Sequence, residues 1–296
     1  MNSGKLYDLV LLGQYTKDTI VSASGTRVVD GGAFNYGAHV AARMSLEVAA
    51  ITRLAEEDLY VLDELGDLSV DVFAYPSPKS TCLRLEYPTA NVDERIIHVT
   101  STAEPFTPAQ VEGLRARAFL VGASMRGEVG LPVIQALGKK EGLLAIDVQG
   151  FVRVADAGRL VYAAWPEQEQ VLSHVDVLKT DAVEAERLTG QTDIRVAART
   201  LAAMGPDEIV LTHRDGLLVY AEGEYHAAKF YPKRQVGRSG RGDTCIAAYV
   251  AKRLTASPAE ATIWAAAVTS LKLEAEGPFR RQVDEVEDLI GREYGG

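Results

Sequence analysis

The feature that most constrains this chain is a recurring short apolar run, bounded by turn residues and followed by a stretch of helical spacing. YDLVLLG, from Tyr7, is the first, and LEVAAIT, RAFLVG, GLLAIDV, VDVLKT and DEIVLT follow near residues 50, 120, 145, 178 and 210. Consecutive apolar positions mark strands buried on both faces, and the stretches between them read as crossover helices. A mainly parallel sheet covered by helices on both sides satisfies both features. The helices show their own periodicity. After Thr192 and Asp193, either of which can cap, Ile194, Ala197, Ala198, Leu201 and Ala202 recur at intervals of three and four. Pro258 suits a first turn, and Ala261, Trp264, Ala265, Val268 and Leu271 form one stripe, which makes Trp264 a core residue rather than an adenine platform.

From Val70 to Thr100 the pattern changes to alternating apolar and polar residues around Pro- and Asn-containing turns. That alternation predicts strands exposed on one face. Segments near 14–30 and 70–100 are therefore expected to form a small β lid on a single domain spanning 1–296, since there is no internal repeat and no interdomain linker.

A formal charge of −10 disfavours nucleic acid and acidic membrane surfaces as main partners, because both select a basic face. A small neutral or locally anchored anionic substrate fits better. Cys82 and Cys245 lack metal-ligand spacing and do not suggest a disulfide framework, so a reducing cytoplasm is the expected location. The N-terminal stretch has no targeting-leader pattern, and no run approaches the roughly 20 apolar residues of a membrane span. His98, His174 and His226 lack paired ligand spacing and read as structural or surface residues.

QVGRSGRGDTCIAAYVAKRL, residues 235–254, places Gly237, Gly240 and Gly242 directly before a helix. Such a turn can aim successive backbone N–H groups into one concavity, where the helix N-terminus adds positive potential. Asp243 at the helix start can act as a simple cap, or can accept a proton from a hydroxyl attacking a phosphate held there. Asn35 likewise can be a cap, Asp18 a turn residue, and Arg238 a surface charge.

GRGDT followed by a helix resembles the GAGD signature of the ribokinase-like, or PfkB, carbohydrate kinases. Four other segments resemble that family in the same order: GQYTKDTI from Gly13, DGGAFNYGAHVAAR from Asp30, KTDAVEAERLTG from Lys179, and IVLTHRDGLLVY from Ile209. The resemblance implies a three-layer α/β/α kinase with a small β lid, using ATP and Mg2+ to phosphorylate an alcohol. It implies that Asp18, Gly31, Gly32 and Asn35 bind the acceptor, and that Thr212, Arg241 and Gly242 approach the nucleotide. Asp243 would be the general base, with the backbone of Gly240, Arg241 and Gly242 as the anion hole. Asp181 and Glu184 would orient hydrated magnesium.

Departures from the family pattern carry their own consequences. Arg241 replaces the alanine of GAGD and adds a cation near the phosphates. Gly237 stands where many members carry an aspartate associated with a monovalent-cation site, which makes potassium activation doubtful. Asp181 replaces an asparagine, keeping oxygen ligation and adding charge. His213 replaces a glycine near the nucleotide.

DERIIHVTSTAEPFTP and AIDVQGFVR are similar to the inositol-kinase-like branch, so a sugar or a cyclitol such as myo-inositol is the expected acceptor. Arg153 in the second stretch can also be structural. A nucleoside kinase of the same family and a non-catalytic sugar or nucleotide sensor remain open. A nicotinamide oxidoreductase is disfavoured because the first βα turn lacks GxGxxG. Exposed lid edges can pair between subunits, which is compatible with a homodimer.

Overall fold

The computed structural model describes residues 4–23, 25–89, 95–237 and 239–295; Arg238 lies outside them. The chain begins with β1 (Leu6–Leu12), β2 (Thr16–Ser22), β3 (Gly25–Gly31), α1 (Ala33–Arg43), β4 (Val48–Leu54), α2 (Asp63–Asp67) and β5 (Asp71–Pro76). It continues through β6 (Thr81–Glu86), β7 (Ile96–Ser101), β8 (Arg115–Val121), α3 (Leu131–Leu137), β9 (Leu143–Asp147), α4 (Gln149–Val152), β10 (Arg153–Asp156) and β11 (Arg159–Tyr162). The last part comprises α5 (Gln168–Leu172), β12 (Val177–Asp181), α6 (Ala182–Thr189), α7 (Ile194–Ala202), β13 (Glu208–Thr212), β14 (Gly216–Ala221), β15 (Glu224–Lys229), α8 (Arg241–Arg253), α9 (Pro258–Leu273) and α10 (Val283–Glu293).

Nine strands form the larger sheet in the order β15-β14-β13-β12-β9-β8-β1-β4-β5. It is parallel from β13 to β5, and β14 and β15 close one edge antiparallel. All six apolar runs became consecutive members of the parallel part. Each is buried on both faces because its side chains alternate between two cores. In β1, Leu9 and Leu11 face the core built with α1, α8, α9 and α10. Val10 and Leu12 face the core built with α3, α5, α6 and α7. This is the ribokinase-like α/β fold, with a mostly parallel sheet between helical layers.

Local signals account for the helix ends. Asp193 accepts from the N–H groups of Arg195 and Val196 at the start of α7. Ser257 and Glu260 form a reciprocal capping box on α9, just before Pro258. Trp264 is 4% exposed within the first core.

The smaller sheet has the order β10-β11-β7-β6-β2-β3. Two features differ from the sequence expectation. Asp71–Pro76, expected in the lid, pairs parallel with β4 at the edge of the larger sheet. Val72 packs against the first core and Phe73 and Tyr75 against the second, but at the sheet edge they are only half-buried, and Pro76 and Pro78 read as lid turns. Conversely, the hairpin of β10 and β11 joins the smaller sheet through pairing of β11 with β7. Its strands have four residues each, too short for a periodicity signal.

Candidate functional site

The carboxyl ends of β9, β12 and β13 converge with the amino end of α8, where an open α/β sheet normally binds ligands. Gly240 is the N-terminal boundary of α8, with φ 73°. Two constraints select glycine there: the left-handed backbone, and the ring of Tyr36, which would lie 2.2 Å from a β-carbon. The first-turn amides of α8 lack helical acceptors, so they remain available to an anion.

Asp243 opens onto two adjoining cavities. The larger, about 570 Å3, is lined by Lys179, Asp181, Thr212, Arg241 and Gly242 among others. The smaller, about 100 Å3, is lined by Asp18, Gly32, Tyr36, Gln149 and Asp243 among others. Arg95, Gln149, Arg153, Gly240 and Asp243 are common to both walls. Another cavity, about 630 Å3, opens near the start of β1, away from these residues, and its Lys5 pairs with Glu47 and Asp71.

Burial lifts the Asp243 carboxyl above the usual carboxylate range, against the pull of Lys179, Arg153 and Lys272. Burial likewise lifts Asp18 to about 6, opposed by a hydrogen bond with the Thr16 side chain and assisted by the charge of Asp243. Among the described residues, Asp18 Oδ1 and the Tyr36 hydroxyl are buried without hydrogen-bond partners. Two orphan polar atoms in one cavity call for a polar occupant, because leaving them unpaired costs roughly 1–3 kcal/mol each.

Beneath the larger cavity, Lys179 and Asp147 form a buried ion pair at 2.8 Å. Burial disfavours the Lys179 charge, but Asp147, Glu184 and Asp181 outweigh it and hold the ammonium above its ordinary range. Glu184 is fully buried: Oε1 accepts from Arg153 at 2.8 Å, and Oε2 accepts from the Asp181 N–H at 3.0 Å. The Glu184 N–H donates in return to Asp181 Oδ1 at 2.8 Å, completing a capping box on α6. Asp181 therefore faces the cavity while Glu184 anchors Arg153. Among the described residues, no group of three or more His, Cys, Asp or Glu is arranged to hold a metal ion. A magnesium ion held chiefly by ligand phosphates and water would fit Asp181.

Of the residues expected to contact the acceptor, Asp18 and Gly32 form the wall of the smaller cavity. Gly31 lies behind them against Thr16 and Asp18, and Asn35 is buried within α1. Thr212 lies at the end of β13 on the larger cavity, beside His213. Sequence reasoning assigned no role to Tyr36, Arg95, Asp147, Lys179 or Lys272. For Asp147 and Lys179 the available signal was a charged residue near the carboxyl end of a doubly buried strand. Gly237 donates to Leu273 O at 3.3 Å, tying the glycine loop to the end of α9.

A parallel α/β body, a second small sheet and a helix mouth facing two joined cavities together define a ribokinase-like phosphotransferase. The pfkB family carbohydrate kinase profile matches residues 5–280, and the chain belongs to this family of carbohydrate kinases. A pyrophosphate-dependent kinase of the ribokinase family, solved with a pyrophosphate analogue and myo-inositol, is 32% identical with a TM-score of 0.87, covering 95% of this chain and 99% of that one. Cytidine kinase from Thermococcus kodakarensis is 25% identical over 268 residues, 86% of this chain and 91% of that one. Arabidopsis thaliana ribokinase, solved with ribose and ATP, shares the fold at 19% identity and a TM-score of 0.77, covering 97% of this chain and 99% of that one.

Proposed function

We propose that this kinase transfers a phosphoryl group from pyrophosphate to a hydroxyl of myo-inositol or a closely related polyol. The observation that carries this reading is the position of Asp243 on the shared wall of the two cavities, with Asp18 across the smaller one. The smaller cavity, about 100 Å3, suits one polyhydroxylated ring whose hydroxyls satisfy Asp18 Oδ1 and the Tyr36 hydroxyl.

The larger cavity holds the donor. Arg95, Arg153, Lys179, Arg214 and Arg241 all line it, a density of positive charge suited to a compact polyanion. The similarity to a pyrophosphate-dependent kinase supports the same donor. ATP, implied by the sequence resemblance, is the alternative. The acceptor oxygen bonds to phosphorus as the bridging phosphorus–oxygen bond breaks, Asp243 takes the hydroxyl proton, and the departing phosphate keeps the bridge electrons. Amides of Gly240, Arg241 and Gly242 offset charge on the transferring group. Magnesium would be held through its waters by Asp181 and would neutralise donor charge. Glu184 contributes by fixing Arg153 and Asp181, and the smaller sheet serves as the lid that keeps water out.

Similarity to a cytidine kinase supports a second acceptor class, the nucleosides. The deciding experiment offers myo-inositol, pentoses, hexoses and cytidine with Mg-pyrophosphate and, separately, with Mg-ATP. Phosphorylated product is then identified by mass. Phosphoinositol formed from pyrophosphate is expected. Turnover of cytidine alone would replace the acceptor, turnover with ATP alone would replace the donor, and binding without turnover would favour a sensor.

A further inference from the structure

Lys272 occupies the last turn of α9, is 2% exposed, and directs its ammonium at backbone oxygens. Nζ donates to Ser239 O at 2.5 Å and to Gly237 O at 3.3 Å. It also lies 5.7 Å from the centroid of the Tyr36 ring, the ring that packs on Gly240. The carbonyl of Ser239 and the N–H of Gly240 belong to one peptide group. A cation on that oxygen polarises the N–H at the other end, strengthening it as a donor.

We propose that Lys272 is a positioning residue, a built-in cation that holds the Gly237 and Ser239 carbonyls so that the first amides of α8 face the transferring phosphate. The proposal rests on the phosphotransfer reading and assigns a loop-setting group that the general-base and anion-hole roles do not include. Three features support it independently of that reading. The ammonium is buried, two loop carbonyls converge on it, and the same loop is tied to α9 by backbone bonds from Val236 and Gly237 to Leu273 O. Besides the Tyr36 ring of α1, the charged groups acting on it are Asp243 and Arg241 of α8 and Glu276 beyond α9. Burial pushes the ammonium down to about 8, Asp243 and Glu276 favour its charge, and Arg241 opposes it. Above that pH the loop loses its cation.

The test compares Lys272→Met and Lys272→Arg with the wild type, each first checked for its melting profile and for myo-inositol binding by calorimetry. K272M is expected to lose about a hundredfold in kcat while KM for myo-inositol changes less than about threefold. K272R should recover most of that loss. The fall in wild-type kcat above about pH 8 should move upward in K272R, because a guanidinium keeps its proton. Methylammonium should restore part of the turnover of K272M. Near-wild-type kcat in folded K272M, or an alkaline limb that K272R leaves in place, overturns the proposal. If K272M does not fold, the K272R pH profile decides. If the wild type phosphorylates no acceptor with either donor, the proposed reaction fails by itself, and the loop role is read from pyrophosphate affinity. An unchanged Kd in K272M, or in K272R above pH 8 should K272M not fold, then overturns it; roughly tenfold weaker binding in K272M, or tighter binding by K272R than by the wild type above pH 8, supports it.

Discussion

A β-carbon placed on Gly242 would lie 2.8 Å from Nζ of Lys179, an approach too close for two unbonded heavy atoms. The lysine end is flexible in principle, but here it is buried and held by Asp147 at 2.8 Å. Gly242→Ala must therefore push the ammonium off its partner or lift the first turn of α8. The expected result is a folded protein, destabilised by about 1–2 kcal/mol, with kcat reduced roughly tenfold to a hundredfold. Steady-state kinetics beside a thermal melt checks it, and unchanged kcat would remove Lys179 from the reaction.

Asp243→Asn keeps the size of the side chain and a carbonyl oxygen near the α8 amides, but cannot accept the hydroxyl proton. Turnover should drop by about a thousandfold or more, while calorimetry finds myo-inositol and pyrophosphate still bound. Nearly normal turnover in the folded variant would reject the base assignment. Burial raises the Asp243 carboxyl, so the acid limb of wild-type kcat should lie above the pH at which an exposed aspartate ionises.

Asp18 predicts opposite effects on stability and binding. Its folded-state value is about 6, above the roughly 4 of an exposed aspartate. A raised acid gives stability that is complete below the unfolded value and is lost as pH rises through the folded one. Asp18→Asn should therefore melt higher than the wild type at pH 7 without ligand, by an amount on the order of 1–3 kcal/mol that vanishes toward pH 4. Acceptor affinity should move the other way, weakening in the variant, and weakening in the wild type as pH falls below about 6. A calorimetric pH series on both proteins reads the two effects together.

The parallel body was legible because burial on two faces leaves short unbroken apolar runs such as Leu9–Leu12, bounded by turn residues. The glycine turn was legible because a left-handed boundary packed on the Tyr36 ring selects glycine, and the place of Asp243 because an acidic residue suits a first helical turn. Asp71–Pro76 was misplaced because it is a short, half-buried edge strand that runs into Pro76 and Pro78, the kind of turn signal that also bounds lid strands. Arg153 and Glu184 illustrate the harder limit. Each looks ordinary in its own segment, and only the fold sets them 2.8 Å apart across thirty-one positions of sequence. Lys272 is hidden in the same way, since a lysine in a last helical turn normally serves the helix dipole and solvent.

Arg153→Met tests whether that arginine is a donor ligand or only a partner for Glu184. Its removal leaves a carboxylate that is 0% exposed without its counter-charge, which should cost about 3–5 kcal/mol and lower the melting temperature markedly. Combining it with Glu184→Gln removes the stranded charge while keeping an acceptor for the Asp181 N–H, so most of the stability should return. If Arg153 contacts the donor from the shared wall of the cavities, KM for pyrophosphate stays raised roughly tenfold or more in the double variant despite the recovered fold. Recovery of both stability and donor KM would make the arginine a purely structural partner, and the cationic character of the larger cavity would then rest on Arg95, Lys179, Arg214 and Arg241.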